Sequence, residues 1–271
     1  MTGKVLVTGA AGRVGRAFLR YDGSQYDLRL ADRELVSLSQ MDVGWDMEQS
    51  EQIALDVADL SACYDACKEI DTVVHLAADA NAGAGFYESL LDNNIKGAYN
   101  IFRAAKDQGC RRVIWASSVQ AVAGYPLDVQ VRADMPPKPL NLYGAAKVFG
   151  EAMAHYFAYT EDLSSIAIRI GAFEYNRETW DEMPDGRTLS TFLSARDLSH
   201  LIHQSIQVEN LQYAVLQAVS DNRFKRMDIT SARELVGYSP QDDAFSRFDA
   251  GVPYRDRWYS EEQSREGRSQ E

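Results

Sequence analysis

Cysteine and histidine are scarce in this chain, basic residues are outnumbered, and long apolar runs are missing. Only three cysteines occur among 271 residues, Cys63, Cys67 and Cys110. Cys63 and Cys67 are four apart on an expected helix, but no neighbouring histidine and no second cysteine pair completes a zinc site. No metal is therefore expected, and the thiols read as reduced and half-buried. Lys and Arg number 28 against 40 Asp and Glu, giving a net charge of −12 and a pI near 4.8. That balance argues against nucleic acid and anionic membrane as partners, and suits a cytoplasmic enzyme and a salt-adapted source. No apolar stretch approaches the roughly 18 residues of a membrane span. Met1-Thr-Gly-Lys-Val-Leu-Val-Thr8 enters a strand at once, so no secretory leader is expected.

What is present alternates. Short apolar runs at Lys4–Thr8, Asp27–Ala31, Ile53–Leu55, Thr72–Leu76, Arg112–Ala116 and Ser165–Ile170 are separated by helical patterns, among them about 59–68 and a long one at about 86–108. This rhythm predicts an α/β fold, a Rossmann-type doubly wound parallel sheet with a small C-terminal substrate-binding portion. The expected division is a dinucleotide-binding domain over 1–170, completed by a helix at 195–207 and a strand at 213–218. A substrate-binding portion is expected over 171–194 and 219–258, with 173–194 irregular. A short helix is expected at 228–236, and 259–271 reads as a disordered tail. Residues 34–50 read as a polar loop.

The first strand runs into Thr8-Gly-Ala-Ala-Gly-Arg-Val-Gly15 and then a helix. Glycines at 9, 12 and 15 between strand and helix predict a dinucleotide turn, with a pyrophosphate on the helix N-terminus. Asp32 ends the second strand 20 residues after Gly12. A carboxylate there bonds ribose hydroxyls and repels a 2′-phosphate, which favours NAD over NADP, although Arg33 and Arg13 could accommodate a phosphate. The candidate cofactor contacts are Gly9, Gly12, Arg13, Val14 and Gly15 in the turn, then Asp32, Arg33, Asp56, Val57, Leu76, Ala77 and Ala78 at strand ends. Asn94, Tyr143, Lys147 and Ile170 complete them toward the reacting end. His75 reads as a satisfied core histidine.

Asn141-Leu-Tyr-Gly-Ala-Ala-Lys-Val-Phe-Gly-Glu151 places Tyr143 and Lys147 four apart on a helix, hence on one face. An ammonium beside a phenol lowers its pKa, which makes Tyr143 a candidate general base.

Thr8-Gly9-x2-Gly12-x2-Gly15, Asn94, Ser117-Ser118 and Tyr143-x3-Lys147 together resemble the extended short-chain dehydrogenases/reductases, the NAD-dependent epimerase/dehydratase superfamily. Val119-Gln120 stands where the dehydratases carry an Asp-Glu pair. Asn141–Glu151, Arg169-Ile-Gly171, Arg187–Ser194 and Ser220-Asp-Asn222 look like uronate dehydrogenases, which oxidise C1 of a hexuronate to its lactone with NAD. The resemblance implies Tyr143 as base, Ser118 orienting the reacting oxygen, Lys147 on the nicotinamide ribose, Asn94 steadying a proton relay, and Arg187 on the substrate carboxylate. It places Ala80, Ser118, Val119, Gln120 and Ala172 against the sugar, where that family has Ser-Ser-Asn-His for 117–120 and hydroxyl residues for Ala80 and Ala172. The chain is also similar to NAD-dependent sugar-phosphate dehydrogenases of salt-loving archaea. In that case Arg187, or an Arg223-x-Lys225-Arg226 cluster that otherwise reads as a solvated face, would meet a phosphate. An epimerase with tightly bound NAD remains an alternative, and a homodimer through the helices at 86 and 141 would be usual for the superfamily.

Overall fold

The computed structural model describes residues 3–39, 41–47, 50–174 and 185–248. Strands β1 (Val5–Thr8), β2 (Leu28–Asp32), β3 (Glu51–Ala54), β4 (Thr72–His75), β5 (Arg112–Ser118), β6 (Ser164–Ile170) and β9 (Tyr213–Ala218) form one seven-stranded sheet in the order β3-β2-β1-β4-β5-β6-β9. Every pairing is parallel. The order reverses between β1 and β4, and ligands of such sheets bind at the carboxyl ends of the strands flanking that switch. The Rossmann-type sheet predicted from the alternation is the fold observed.

Helices cover both faces, so the central strands are apolar on both sides. Against one face pack α1 (Arg13–Asp22) and α7 (Ala195–Gln207), through Phe18, Leu19, Leu198, Leu201 and Ile202. Against the other lie α3 (Leu60–Ala66), α4 (Gly97–Asp107) and α5 (Leu142–Thr160), through Ile101, Phe102, Phe157 and Trp115. Cys63, Cys67 and Cys110 are free and fully buried in this second layer rather than half-buried, acting as small apolar fillers.

Four expectations need correction. Residues 34–50 are not a polar loop: α2 (Leu35–Ser39) forms there, Met41, Val43 and Met47 are buried, and Trp45 Nε1 donates to Leu19 O at 2.7 Å. Apolar residues at 41, 43, 45 and 47 alternate, which is the local signal for that burial. The helix expected over 86–108 is two structures, a π-helix at Phe86–Lys96 running into α4. The 173–194 stretch holds β7 (Ala172–Glu174), α6 (Gly186–Thr191) and β8 (Phe192–Ser194), the two strands pairing parallel; such short pieces lack readable periodicity. The expected 228–236 helix, α8, is shorter at Thr230–Val236. The tail at 259–271 lies outside the described residues, as do 175–184.

Candidate active site

β1 ends at Thr8 and the chain turns through Gly9 at φ +67°, a left-handed conformation that side chains disfavour. A Cβ on Gly9 would lie 2.7 Å from Ala77 N, so the turn presses directly on the loop after β4. Gly12 caps α1 without a side chain, leaving the first-turn N–H groups facing the trough above the sheet. Two cavities open there, of about 340 and 580 Å³, sharing Gly9, Gly12, Leu76 and Ala78. The smaller is walled by Asp32, Arg33, Val57 and Ala77, with Asp32 Oδ2 accepting from Ala11 N at 2.9 Å. A two-lobed trough with an uncapped helix N-terminus at the waist and a carboxylate in one lobe fits a dinucleotide.

The larger lobe brings together Arg13, Val14, Gly15, Ala80, Ser118, Val119, Gln120, Tyr143, Lys147, Ile170, Ala172 and Arg187 from the sequence-derived set. Two members of that set stand elsewhere. Asp56 is exposed and accepts from Ala58 N at 2.9 Å, while Leu55 and Val57 on either side line the smaller lobe. Asn94 is fully buried and holds the backbone of Asp79 at both ends, accepting from its N–H at 2.8 Å and donating to its carbonyl at 2.9 Å. Its amide is thus a clamp on the loop after β4. Sequence reading missed Arg16, Ser37 and Asn93 in the small lobe, and Asp185, Thr188 and Thr191 in the large one, where Arg226, read as one member of a cluster that could meet a phosphate, also lines the wall. Of these, Asn93 carried a signal as the neighbour of Asn94, and Thr188 and Thr191 lay within the matched 187–194 stretch.

Helix α5 positions the reacting end. Asn141 caps it, accepting from Gly144 N at 2.7 Å, and also donates to Gln120 Oε1 at 3.1 Å. Tyr143 and Lys147 follow on one face, both buried. Lys147 Nζ donates to Ala116 O at 2.8 Å, lies 4.7 Å from the Trp115 ring centre and 5.6 Å from that of Tyr143. Burial depresses its pKa to about 7. The expected lowering of Tyr143 is not what this environment produces. Burial raises its pKa, a hydrogen bond from Ser118 opposes, and the Asp79 carboxylate adds to the rise. The cost of removing a phenolate from water outweighs the Ser118 hydrogen bond. Behind Lys147, His75 shares a hydrogen bond with Thr8 Oγ1 at 2.7 Å, while its Nε2 has no partner among the described residues. Burial first, and the Lys147 charge second, push His75 down to about 3.

Two guanidiniums reach the large lobe. Arg187 is half-buried on α6, whose N-cap Asp185 accepts from Thr188 N at 2.7 Å, and it has no ion-pair partner among the described residues. Arg226 does not belong to a solvated face. It is 5% exposed, with Nη1 donating to Pro126 O at 2.8 Å and Nη2 to Tyr125 O at 2.7 Å. Lys225 instead pairs with Asp221 at 2.7 Å, and Arg223 with Asp243 at 3.8 Å.

The family model "NAD dependent epimerase/dehydratase family" matches residues 5–193. The chain is 34% identical over 252 residues to a NAD-dependent glucose-6-phosphate dehydrogenase of Haloferax volcanii, covering 89% of this chain and 94% of that one. It is 30% identical over 242 residues to a uronate dehydrogenase of Pseudomonas putida, covering 89% and 85%. Among solved structures, a glucuronic acid dehydrogenase from Chromohalobacter salexigens matches with a TM-score of 0.79 and 30% identity, over 93% of this chain and 91% of that one. With the trough, the glycine turn and the Tyr143–Lys147 face, these likenesses identify the chain as a member of the NAD dependent epimerase/dehydratase family, an extended short-chain dehydrogenase/reductase whose cofactor is NAD.

Proposed function

We propose that this protein is an NAD-dependent sugar dehydrogenase that oxidises C1 of a small anionic sugar, a hexuronate, to its lactone. The observation that carries the reading is the gathering of Ser118, Tyr143, Lys147 and Arg187, which has no ion-pair partner among the described residues, on the walls of one cavity. The turn at Gly9–Gly15, Asp32 and Lys147 would hold the cofactor. NAD, when bound, supplies the hydride acceptor for C1. Tyr143, as phenolate, takes the proton of the C1 hydroxyl, so that hydroxyl becomes the lactone carbonyl. Ser118 hydrogen-bonds the same oxygen and aligns it. Arg187 grips the carboxylate through its planar fork and so sets which face of the sugar is presented. Ala80, Val119 and Ala172 supply no hydroxyl-bonding groups, and Gln120 is tied to Asn141, which leaves the anion as the main handle.

Arg226 on the same cavity favours a second reading, a sugar phosphate whose dianion accepts from two guanidiniums.

The test is NADH formation with NAD and galacturonate, glucuronate, glucose 6-phosphate and neutral aldoses. The expected outcome is uronate turnover whose KM rises roughly 10- to 100-fold in Arg187→Ala, the loss of a charge-assisted bidentate contact, with neutral aldoses unaffected. Turnover with glucose 6-phosphate alone moves the assignment to the second reading. No NADH from any sugar, with NAD released only on denaturation, replaces the dehydrogenase by an epimerase.

A further inference from the structure

Tyr143 and Lys147 are the first two members of a series. Glu151 follows four residues later on the same face of α5, and it is 5% exposed. The three side chains meet three consecutive residues at the end of β5: Tyr143 the Ser118 hydroxyl, Lys147 the Ala116 carbonyl at 2.8 Å, and Glu151 the Ser117 hydroxyl at 2.6 Å. On the far side of Glu151 stands Arg169 of β6, 2% exposed and paired in register with Ser117. Its Nε donates to Glu151 Oε1 and its Nη2 to Oε2, each at 2.8 Å, while Nη1 reaches Ala133 O at 3.4 Å. Both carboxylate oxygens are therefore engaged, and one of them joins β5 to β6 through the helix.

We propose that Glu151, held by Arg169 and Ser117, is a positioning residue that sets the axial register of α5 against β5 so that the Tyr143 phenol meets Ser118. The proposal rests on the Tyr143–Ser118 reading above. A buried fork-to-fork pair has one good geometry, and the four-residue spacing transmits that geometry along a rigid helix. A slip of the helix by part of a turn separates Tyr143 from the hydroxyl that opposes the rise in its pKa. Among the described residues, the charged and titratable groups around Tyr143 are Lys147 on its own helix, Asp79 after β4, and Arg13, Asp185, Arg187 and Arg226 on the same cavity. None of these is altered by a change at 151 or 117.

The experiment compares Glu151→Gln, Ser117→Ala and Ser117→Thr for NAD affinity, kcat, KM and the pH dependence of kcat/KM. The expected result for Glu151→Gln is a kcat lowered about tenfold or more by misplacement of the base, with KM and NAD affinity little changed. Its pH limb moves to higher pH, because Tyr143 loses the Ser118 bond. Ser117→Ala moves both quantities the same way by less, and Ser117→Thr restores them by retaining the hydroxyl. A folded Glu151→Gln protein with an unmoved limb and parental kcat overturns the proposal. Where Glu151→Gln fails to fold, an unmoved limb in Ser117→Ala does so. Full turnover in Tyr143→Phe sinks the underlying assignment instead, whereas an inactive Tyr143→Phe beside an unmoved Ser117→Ala sinks only the positioning role.

Discussion

A buried tyrosine gives up its proton reluctantly, and at Tyr143 the surroundings add to that reluctance. Asp79 is fixed there by Asn94 on its backbone, by Asn81 N at 2.9 Å from Oδ1 and by the Ser89 hydroxyl at 2.5 Å from Oδ2. Its negative charge raises the Tyr143 pKa because a neighbouring anion opposes formation of the phenolate. Removing the charge must therefore lower that pKa. In Asp79→Asn the limb of kcat/KM that rises with Tyr143 ionisation is expected to move to lower pH, with NAD affinity unchanged. A limb that stays in place would show that the Asp79 charge does not reach the phenol. Asp32, by contrast, was legible from spacing alone, since its distance from the glycine turn is a property of the chain.

At the scale of elements, α5 carries the reacting pair and lies hard against β5. A Cβ on Gly150 would stand 2.2 Å from Cε2 of Trp115, and that ring is hemmed in by His75, Phe102 and Lys147. Gly150→Ala improves helix propensity by about 1 kcal/mol. Overpacking against a confined ring costs about 1–3 kcal/mol, so the steric term wins. Thermal unfolding of Gly150→Ala is expected at lower temperature than the parent, together with a reduced kcat as α5 is pushed off β5. An unchanged or raised Tm would mean that the ring can yield. α7 and β9 have the bounds their periodicity predicted, because long regular segments state their faces repeatedly. β7, α6 and β8 were unreadable because three to six residues complete too little of a period.

The whole molecule carries a net charge of −12, and like charges at that density oppose compaction. Raising ionic strength from about 0.1 M to about 1 M shortens the screening length from roughly 10 to 3 Å. Thermal stability is expected to rise over that range with potassium chloride; a flat or falling Tm would locate the acidic residues in favourable pairs instead.

The sequence alone determined the parallel alternating sheet, the dinucleotide turn and the Tyr143–Lys147 face, since each is written in spacings of a few residues along one strand or helix. Only the tertiary structure decided that Asn94 clamps Asp79, that Arg226 sits against carbonyls 100 and 101 residues away, and that Tyr143 is raised rather than lowered. These outcomes depend on which distant groups exclude water from one another, and desolvation leaves no period in a chain.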